Sequence, residues 1–226
     1  MNTPQRTPSS KLSSPRKQAH EAVAIAPRVF LHPPGTRPEG LPPDSILLAQ
    51  HPGAAFGDGS HPTTRLAARA VDLWCRTRAP RSVLDVGTGT GVLARLARAH
   101  GARFVAATDI DPIALDAATC NVALDTSEVE ILVADTPPDT WGARFDLVVA
   151  NILEQPLRTL APALARALAP GGTLLISGFT PLQTPALKAT FAGTGLQYRQ
   201  EARLDGWALL RFSNETAPTD NSLTTG

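Results

Sequence analysis

The middle of the chain alternates between short apolar segments and longer segments in which apolar residues recur at helical spacing. Five apolar segments predict β-strands at residues 82–86, 103–109, 129–135, 145–151 and 173–178. They are almost continuously apolar, which is typical of strands buried on both faces of a parallel sheet. Residues 196–212, divided by Asp205-Gly206, predict a C-terminal antiparallel hairpin. The pattern therefore predicts an α/β fold of the Rossmann type, with helices on both faces of a mostly parallel sheet.

Helices are predicted between these strands and ahead of them. Residues 63–74 and 92–100 show helical spacing of apolar side chains. Asp111-Pro112 begins a third helix, because a proline in the first turn lacks only an N–H that would have no helical partner. A fourth helix is predicted to run from Leu157 to Leu168, and the turn PGG at 170–172 is predicted to end it.

Composition divides the chain into three parts. Residues 1–44 are rich in proline, serine, threonine and basic side chains, and we expect them to be disordered because they bury too little apolar surface to offset their ordering entropy. Residues 45–212 contain the periodic segments and form the predicted folded domain. Residues 213–226 are polar and form a predicted disordered tail.

A polar side chain stands at or near the end of each predicted parallel strand. In chain order these residues are Asp85, Asp109, Asp135, Asn151 and Ser177. In open α/β sheets, ligands bind beyond the carboxyl ends of the strands. The sequence therefore predicts a binding crevice along this edge.

Three glycines follow the first strand, at Gly87, Gly89 and Gly91. Their spacing differs from the dinucleotide fingerprint G-x-G-x-x-G. Asp85 would repel a pyrophosphate at the next helix N-terminus but would suit a cationic ligand. Asp109 is placed to accept both ribose hydroxyls, and Asp135 to meet the adenine edge. Together they predict S-adenosylmethionine, which carries an ammonium and a sulfonium and no phosphate. The alternative is a purely structural role as turn glycines and helix caps.

Charge and cysteine content exclude several classes of partner. The net charge of the 226 residues is +1, so no global field attracts nucleic acid or a membrane surface. No apolar run is long enough to span a bilayer. Two cysteines without framework spacing predict a reduced, cytoplasmic protein, and the histidines lack metal-ligand spacing. We expect one domain, no metal and a monomer.

Six segments carry a family resemblance: AFGDGSHPTT, VLDVGTGTGVLA, TDIDPIAL, DLVVANIL, LAPGG and LLISG. In this order they resemble the ribosomal protein L11 methyltransferase family (PrmA), a branch of the class I S-adenosylmethionine-dependent methyltransferases. The resemblance runs from about Ile46 to Phe212. It implies a seven-stranded sheet of order 3-2-1-4-5-7-6 with the last strand antiparallel.

The resemblance also gives a role to the segment GAAFGDGSHPTT at residues 53–64, which would fold over the cofactor. Phe56 would pack near the sulfonium as a cation–π contact, or serve as an ordinary core aromatic. Four residues match family positions that touch S-adenosylmethionine: Thr63, Gly87, Asp109 and Asn151. For Thr63, a helix N-cap is the structural alternative.

Asn151 is the predicted catalytic residue, and a strand-end turn is its alternative role. Related N-methyltransferases have N-P-P-Y here, and the Asn side-chain oxygen holds the hydrogens of the target amine. This chain has N-I-L, which leaves a roomier, aliphatic mouth suited to a lysine side chain or a chain terminus. His61 is a second catalytic candidate, as a proton acceptor, and its alternative is a histidine bonded into the turn before Pro62.

The resemblance implies an N-methyltransferase that acts on lysine or N-terminal amines of a protein. Family members that modify the ribosomal protein carry a folded N-terminal domain that docks it, whereas the matching region here is short and proline-rich. We therefore expect the docking domain to be missing, which leaves the ribosomal protein or another protein as substrate. A small-molecule methyltransferase and a non-catalytic S-adenosylmethionine-binding protein are the alternatives.

Two further expectations concern charge. The body lacks a basic, aromatic-lined patch, so no nucleic-acid contact is expected beyond a weak one by the basic N-terminal segment. Asp58 stands where the family usually has threonine. Its carboxylate would either steer a cationic substrate or cofactor, or face water.

Overall fold

The computed structural model describes residues 22–141 and 145–214. Ten strands occur in that part of the chain: β1 (Val23–Ala26), β2 (Val29–His32), β3 (Ile46–Ala49), β4 (Ser82–Val86), β5 (Phe104–Thr108), β6 (Ile131–Ala134), β7 (Phe145–Asn151), β8 (Leu168–Phe179), β9 (Gln197–Leu204) and β10 (Trp207–Ser213). The first three form a small sheet of their own, and the other seven form the main sheet.

The main sheet has the order β6-β5-β4-β7-β8-β10-β9. Neighbouring strands from β6 to β8 are parallel, and β10 is antiparallel to both β8 and β9. Numbered within this sheet alone, the order is 3-2-1-4-5-7-6. The predicted α/β fold, its sheet and its terminal hairpin are confirmed.

Helices cover both faces of the sheet: α1 (Pro62–Arg78), α2 (Val92–Ala99), α3 (Pro112–Val122), α4 (Glu154–Ala167) and α5 (Thr184–Ala192). Successive side chains of a strand point to opposite faces. In β7, Leu147 and Val149 join the core under α1 and α2, whereas Val148 and Ala150 join the core under α4 and α5. Because both faces of the sheet are buried, almost every residue in the sequence of these strands is apolar.

The prediction that residues 1–44 are disordered is wrong for the part from residue 22 onward. Strands β1 and β2 pair antiparallel, and β2 pairs parallel with β3. These strands bury Ile25, Val29 and Leu31 in the core that also contains α1 and α2. Each strand has only four residues, too few to show a period beside the proline-rich loop that follows, so composition hid them. Residues 1–21, including the basic segment, lie outside the described residues.

Two smaller boundaries also differ from the prediction. Helix α4 ends at Ala167, and β8 begins directly at Leu168, so LAPGG is the irregular start of a strand rather than a separate turn. The register of β8 against β7 shifts within this stretch, which accommodates the glycines. Ser213 closes β10 and belongs to the folded body, whereas residues 215–226 of the predicted tail lie outside the described residues.

Candidate active site

A cavity of about 770 Å³ opens at the carboxyl ends of β4 to β7. This is the edge at which the polar strand ends were predicted to meet. Of the predicted site residues, eight line the cavity: Phe56, His61, Thr63, Gly87, Gly89, Asp109, Asp135 and Asn151. Residues more than ninety positions apart in sequence therefore come together around one space.

Asp85 and Gly91 were predicted to contact the cofactor, and the structure places both behind the cavity wall. The Asp85 carboxylate is fully buried and accepts hydrogen bonds from Thr88 Oγ1 at 2.7 Å and the Ala94 amide at 3.2 Å. Desolvation raises the pKa of Asp85 to about 7; the bonds from Thr88 and Ala94 oppose the rise, and the nearby Asp109 charge adds to it. Asp85 thus ties β4 to the start of α2 instead of facing the cavity.

The glycine loop (residues 87–91) needs small residues because other parts of the chain lie against it. Gly87 and Gly89 both have positive φ angles, of 70° and 55°. A Cβ on Gly89 would lie 2.1 Å from the Phe56 carbonyl oxygen, and one on Gly87 would lie 2.1 Å from Ile152 Cγ2. Gly91 is the N-cap of α2 and packs on Ala118. The glycines therefore serve the packing of this wall.

The front loop (residues 53–61) forms the opposite wall and bonds directly to the glycine loop. The Thr90 amide donates to the Phe56 carbonyl oxygen at 2.9 Å. Asp58 does not line the cavity; its Oδ1 accepts from the Ser60 amide at 2.9 Å and the Ser60 hydroxyl at 2.6 Å. These two bonds, the hydroxyl's first, lower the pKa of Asp58. Asp58 therefore shapes the turn that leads to His61.

Three aromatic rings follow one another along the front of the cavity. The Phe56 and His61 ring centroids are 5.2 Å apart, and the His61 and Trp207 centroids are 4.7 Å apart, edge to face. Phe56 is 51% exposed and lines the cavity, so it is not a core aromatic. Trp207 begins β10 and is a site residue that the sequence did not predict. The only signal for it was its place directly after the Asp205-Gly206 turn, which fixes where the last strand begins.

His61 is held by the start of α1. It is the N-cap residue of that helix, and its Nδ1 accepts from the Thr63 amide at 3.3 Å and lies 2.8 Å from Thr63 Oγ1. The predicted alternative, a histidine bonded into the turn before Pro62, is therefore present. The N-cap role considered for Thr63 belongs to His61, while Thr63 is buried and lines the cavity.

Asp109 stands at the end of β5 with both oxygens fixed. Its Oδ2 accepts from the Gly89 amide at 3.0 Å, and its Oδ1 accepts from the Asp111 amide at 3.1 Å. Asp111 in turn caps α3 by accepting from the Ile113 amide at 2.9 Å. Asp135 follows β6 and lines the same side of the cavity. The side that faces β5 and β6 is therefore acidic.

Asn151 closes β7 on the other side of the cavity. Its Oδ1 is buried and has no hydrogen-bond partner among the described residues. Its neighbours along the chain, Ile152 and Leu153, line the cavity, as do Pro156 and Leu160 of α4. A carbonyl oxygen in such surroundings is a strong acceptor, because an unpaired buried polar atom costs free energy until it gains a donor.

Apolar residues at the rim were also missed by the sequence analysis. Ile110 is 97% exposed, and Ile113 and Leu153 are also exposed while lining the cavity. Each follows a predicted polar residue by one to four positions, so their signal was a large apolar side chain close behind a polar strand end.

The residues present fit S-adenosylmethionine. The acidic side offers carboxylates to ribose hydroxyls and to positive charge, and the exposed rims of Ile110 and Ile113 offer apolar surface to a flat base. The unpaired Asn151 oxygen is left for a donor on the side away from the carboxylates. Among residues 22–141 and 145–214, no cluster of metal-ligating side chains occurs.

Comparison with known proteins identifies the family. The family model described as "Ribosomal protein L11 methyltransferase (PrmA)" matches residues 11–215. The chain belongs to this family. A solved ribosomal protein L11 methylase from Lactobacillus delbrueckii subsp. bulgaricus is 32% identical, with a TM-score of 0.76, over 85% of this chain and 97% of that one.

Curated relatives agree with the assignment. Ribosomal protein L11 methyltransferases are 36% identical over 89% of this chain (Cupriavidus metallidurans) and 41% identical over 80% of it (Geobacter sulfurreducens). The chain spans 64% and 59% of their lengths, less than two thirds. The N-methyltransferase NodS from Bradyrhizobium japonicum, at 19% identity and a TM-score of 0.54, shares the fold.

Proposed function

We propose that the chain is an S-adenosylmethionine-dependent N-methyltransferase that methylates lysine or N-terminal amines of a protein. Membership of the ribosomal protein L11 methyltransferase family supports the reaction and makes ribosomal protein L11 the first acceptor to test. The observation that carries the proposal is the buried, unpaired Oδ1 of Asn151 at the edge of the cavity. An amine N–H is the donor that this oxygen lacks.

The acidic side of the cavity would hold the cofactor. Asp109 would accept the ribose hydroxyls, Asp135 would lie at the base, and Phe56 would pack on the cationic part. When bound, S-adenosylmethionine supplies a methyl group on a sulfonium, which becomes a neutral thioether once the methyl has left. Because Asp85 lies behind the wall, it would act by fixing the glycine loop and by its field, without direct contact.

The acceptor side would select the neutral amine. A lysine has a reference pKa of about 10.4 and is charged at neutral pH. Apolar surroundings disfavour the ammonium, and around Asn151 they are Ile152, Leu153 and Leu160. Asn151 would accept one N–H and orient the nitrogen lone pair, so that most of the rate acceleration would come from positioning.

His61 has a narrower role than the sequence suggested. When Nδ1 accepts from the Thr63 amide, the ring proton of a neutral His61 sits on Nε2. Nε2 can receive a proton from the amine only in the other tautomer, in which Nδ1–H donates to Thr63 Oγ1. We retain it as a candidate proton acceptor, and we assign its ring the task of holding Phe56 and Trp207 in place at the cavity front.

No helix of the described residues has the length and apolar character that crossing a bilayer requires. Cys75 and Cys120 are both free, which fits a reducing compartment, and we propose the cytoplasm. The monomeric state and the lack of nucleic-acid contact stay predictions.

The test is transfer of radiolabelled methyl groups into a lysate of cells that lack the enzyme. The wild type is compared with Asn151→Ala and with Asn214→Ala, whose exposed amide donates to Ala169 at the far end of β8. We expect labelled protein with the wild type and Asn214→Ala, and a loss of about a hundredfold or more with Asn151→Ala.

Three other outcomes would contradict parts of the proposal. Label only in small molecules would favour the metabolite alternative, since the family module would then act on a different acceptor. No label, with S-adenosylhomocysteine still bound in calorimetry, would favour a non-catalytic binding protein. Equal activity of Asn151→Ala and Asn214→Ala would remove Asn151 from the mechanism.

A further inference from the structure

Thr90 uses all three of its polar groups in hydrogen bonds, and two of them join the glycine loop to the front loop. Its amide donates to the Phe56 carbonyl oxygen at 2.9 Å, and its hydroxyl donates to the Gly57 carbonyl oxygen at 3.0 Å. Its own carbonyl oxygen accepts from Asn121 Nδ2 at 3.0 Å. Thr90 is buried, so these bonds are made away from water. Two consecutive carbonyls of the front loop are therefore fixed by one side chain and its backbone.

Asn121 extends this connection to the beginning of the front loop. It lies in α3, is buried, and accepts from the His51 amide through Oδ1 at 2.9 Å. Its other side-chain atom, Nδ2, holds Thr90. One amide group thus bonds both to the glycine loop and to the segment that enters the front loop.

The wall that these bonds hold is thin. Ala55 lines the main cavity on one side and a smaller cavity of about 330 Å³ on the other. Thr90 and Asn121 line the smaller cavity and not the main one. Because open space instead of packed side chains lies behind Ala55, packing alone does not fix the front loop there. Its position there depends on hydrogen bonds: those of Thr90 and Asn121, and a longer one at 3.3 Å from Gln50 Nε2 to the Gly57 carbonyl oxygen.

We propose that Thr90 and Asn121 are positioning residues that hold the front loop in its binding position before any ligand arrives. The proposal rests on the proposed function where it concerns the cofactor. The hydrogen bonds of Thr90 and Asn121 keep Phe56 and the turn to His61 beside the cavity, so that the front loop is already ordered when the cofactor binds. Preorganisation of this kind raises affinity because the ordering entropy is lost during folding instead of during binding.

The test uses Thr90→Val, which keeps the side-chain volume and removes only the hydroxyl, and Thr90→Ser, which restores it. Thr173→Val, a buried threonine of β8 away from the cavity, is the matched control. Amide hydrogen exchange of residues 51–61 is measured without ligand, and S-adenosylhomocysteine affinity is measured by calorimetry. We expect faster exchange in Thr90→Val and a Kd raised roughly three- to tenfold. Thr90→Ser and Thr173→Val should remain close to the wild type in both measurements.

Asn121→Ala is a second, independent variant and should raise exchange over residues 51–61 as well. Wild-type exchange rates in both Thr90→Val and Asn121→Ala would overturn the proposal. The proposal would also be overturned if Thr90→Val, Asn121→Ala and the control Thr173→Val all exchanged faster to the same extent over the whole chain, because general destabilisation would then explain the result. Hydrogen exchange needs neither ligand nor turnover, so the two proposals can fail separately. If the variants exchange faster over residues 51–61 but the wild type binds no S-adenosylhomocysteine, the positioning role of Thr90 and Asn121 is supported and the proposed function is refuted.

Discussion

At the scale of single residues, the two sides of the cavity differ in the state of their polar atoms. The oxygens of Asp109 are already bonded to the Gly89 and Asp111 amides, so the carboxylate is fixed before a ligand binds. The Oδ1 of Asn151 is buried and unpaired. A carboxylate held in one position suits the binding of the same cofactor in every turnover. An unpaired acceptor suits a substrate N–H group that arrives and leaves with each reaction. This difference supports the division into a cofactor side and an acceptor side.

Asp109→Asn should weaken cofactor binding. The amide is a poorer acceptor for ribose hydroxyls than the carboxylate, and one of its two ends can no longer accept from Gly89 or Asp111. We expect S-adenosylhomocysteine affinity to fall by about tenfold or more in calorimetry. Asp116→Asn, on the following helix α3 and outside the main cavity, is the control. Equal affinities of the two variants would argue against a cofactor contact by Asp109.

Asp85 should make the stability of the ligand-free protein depend on pH. Its pKa is raised from 3.8 to about 7 in the folded state, so the folded state binds this proton more tightly than the unfolded state. The stabilising contribution is present below about pH 4 and is lost as the pH rises through 7. The total is on the order of 4 kcal/mol, an upper bound.

Chemical denaturation from pH 4 to 8 measures this contribution as a difference between the wild type and Asp85→Asn. The wild type should lose free energy of unfolding relative to the variant as the pH rises. Parallel pH profiles would show that Asp85 titrates normally.

At the scale of elements, the site depends on two loops that fit against each other. The family resemblance predicted their closeness, because it implied that residues 53–64 fold over a cofactor bound at the glycine loop. The sequence assigned the glycines to the ligand. Gly87 and Gly89 line the cavity, and the structure adds a second reason for their size: Gly89 gives room to Phe56, and Gly87 gives room to Ile152. A sequence motif shows which residue must be small. It does not show which other residue occupies the space beside it, because that residue comes from a distant part of the chain.

Gly89→Ala should displace the front loop. The added Cβ would lie 2.1 Å from the Phe56 carbonyl oxygen, which is backbone and cannot rotate away. Gly101→Ala is the matched control, since Gly101 also has positive φ but no atom within 4 Å of its added Cβ. Both variants carry a similar backbone strain of about 1–2 kcal/mol.

Only Gly89→Ala should lose S-adenosylhomocysteine binding and show faster amide exchange over residues 53–61. If Gly101→Ala lost binding to the same degree, general destabilisation would explain both results.

At the scale of the whole molecule, the small sheet of β1 to β3 is part of the core beneath α1 and α2. The sequence predicted the main sheet, its strand ends and eight residues that line the cavity. Long periodic segments and strand-end polarity are local signals, and the family resemblance added Phe56, His61 and Thr63. It missed the small sheet, Trp207 and the placement of Asp85. Four-residue strands carry too little pattern, and burial of Asp85 is set by α2 folding over it, which no local signal reports.

Ile25→Ala should destabilise the whole domain. The side chain is 1% exposed, and its truncation would leave a cavity in the shared core at a cost of about 2–4 kcal/mol. Val23→Ala on the same strand, where the side chain is 43% exposed, should change stability little. Thermal unfolding of both variants checks this. An unchanged melting temperature for Ile25→Ala would mean that the small sheet unfolds separately from the rest.

The most direct test of the account is the mass of purified ribosomal protein L11 after incubation with the chain and S-adenosylmethionine. We expect added mass in steps of one methyl group, located on lysine or N-terminal amines, with the wild type and not with Asn151→Ala. Unchanged ribosomal protein L11 and an unlabelled lysate, with cofactor binding intact, would contradict the claim that this cavity transfers methyl groups to protein amines.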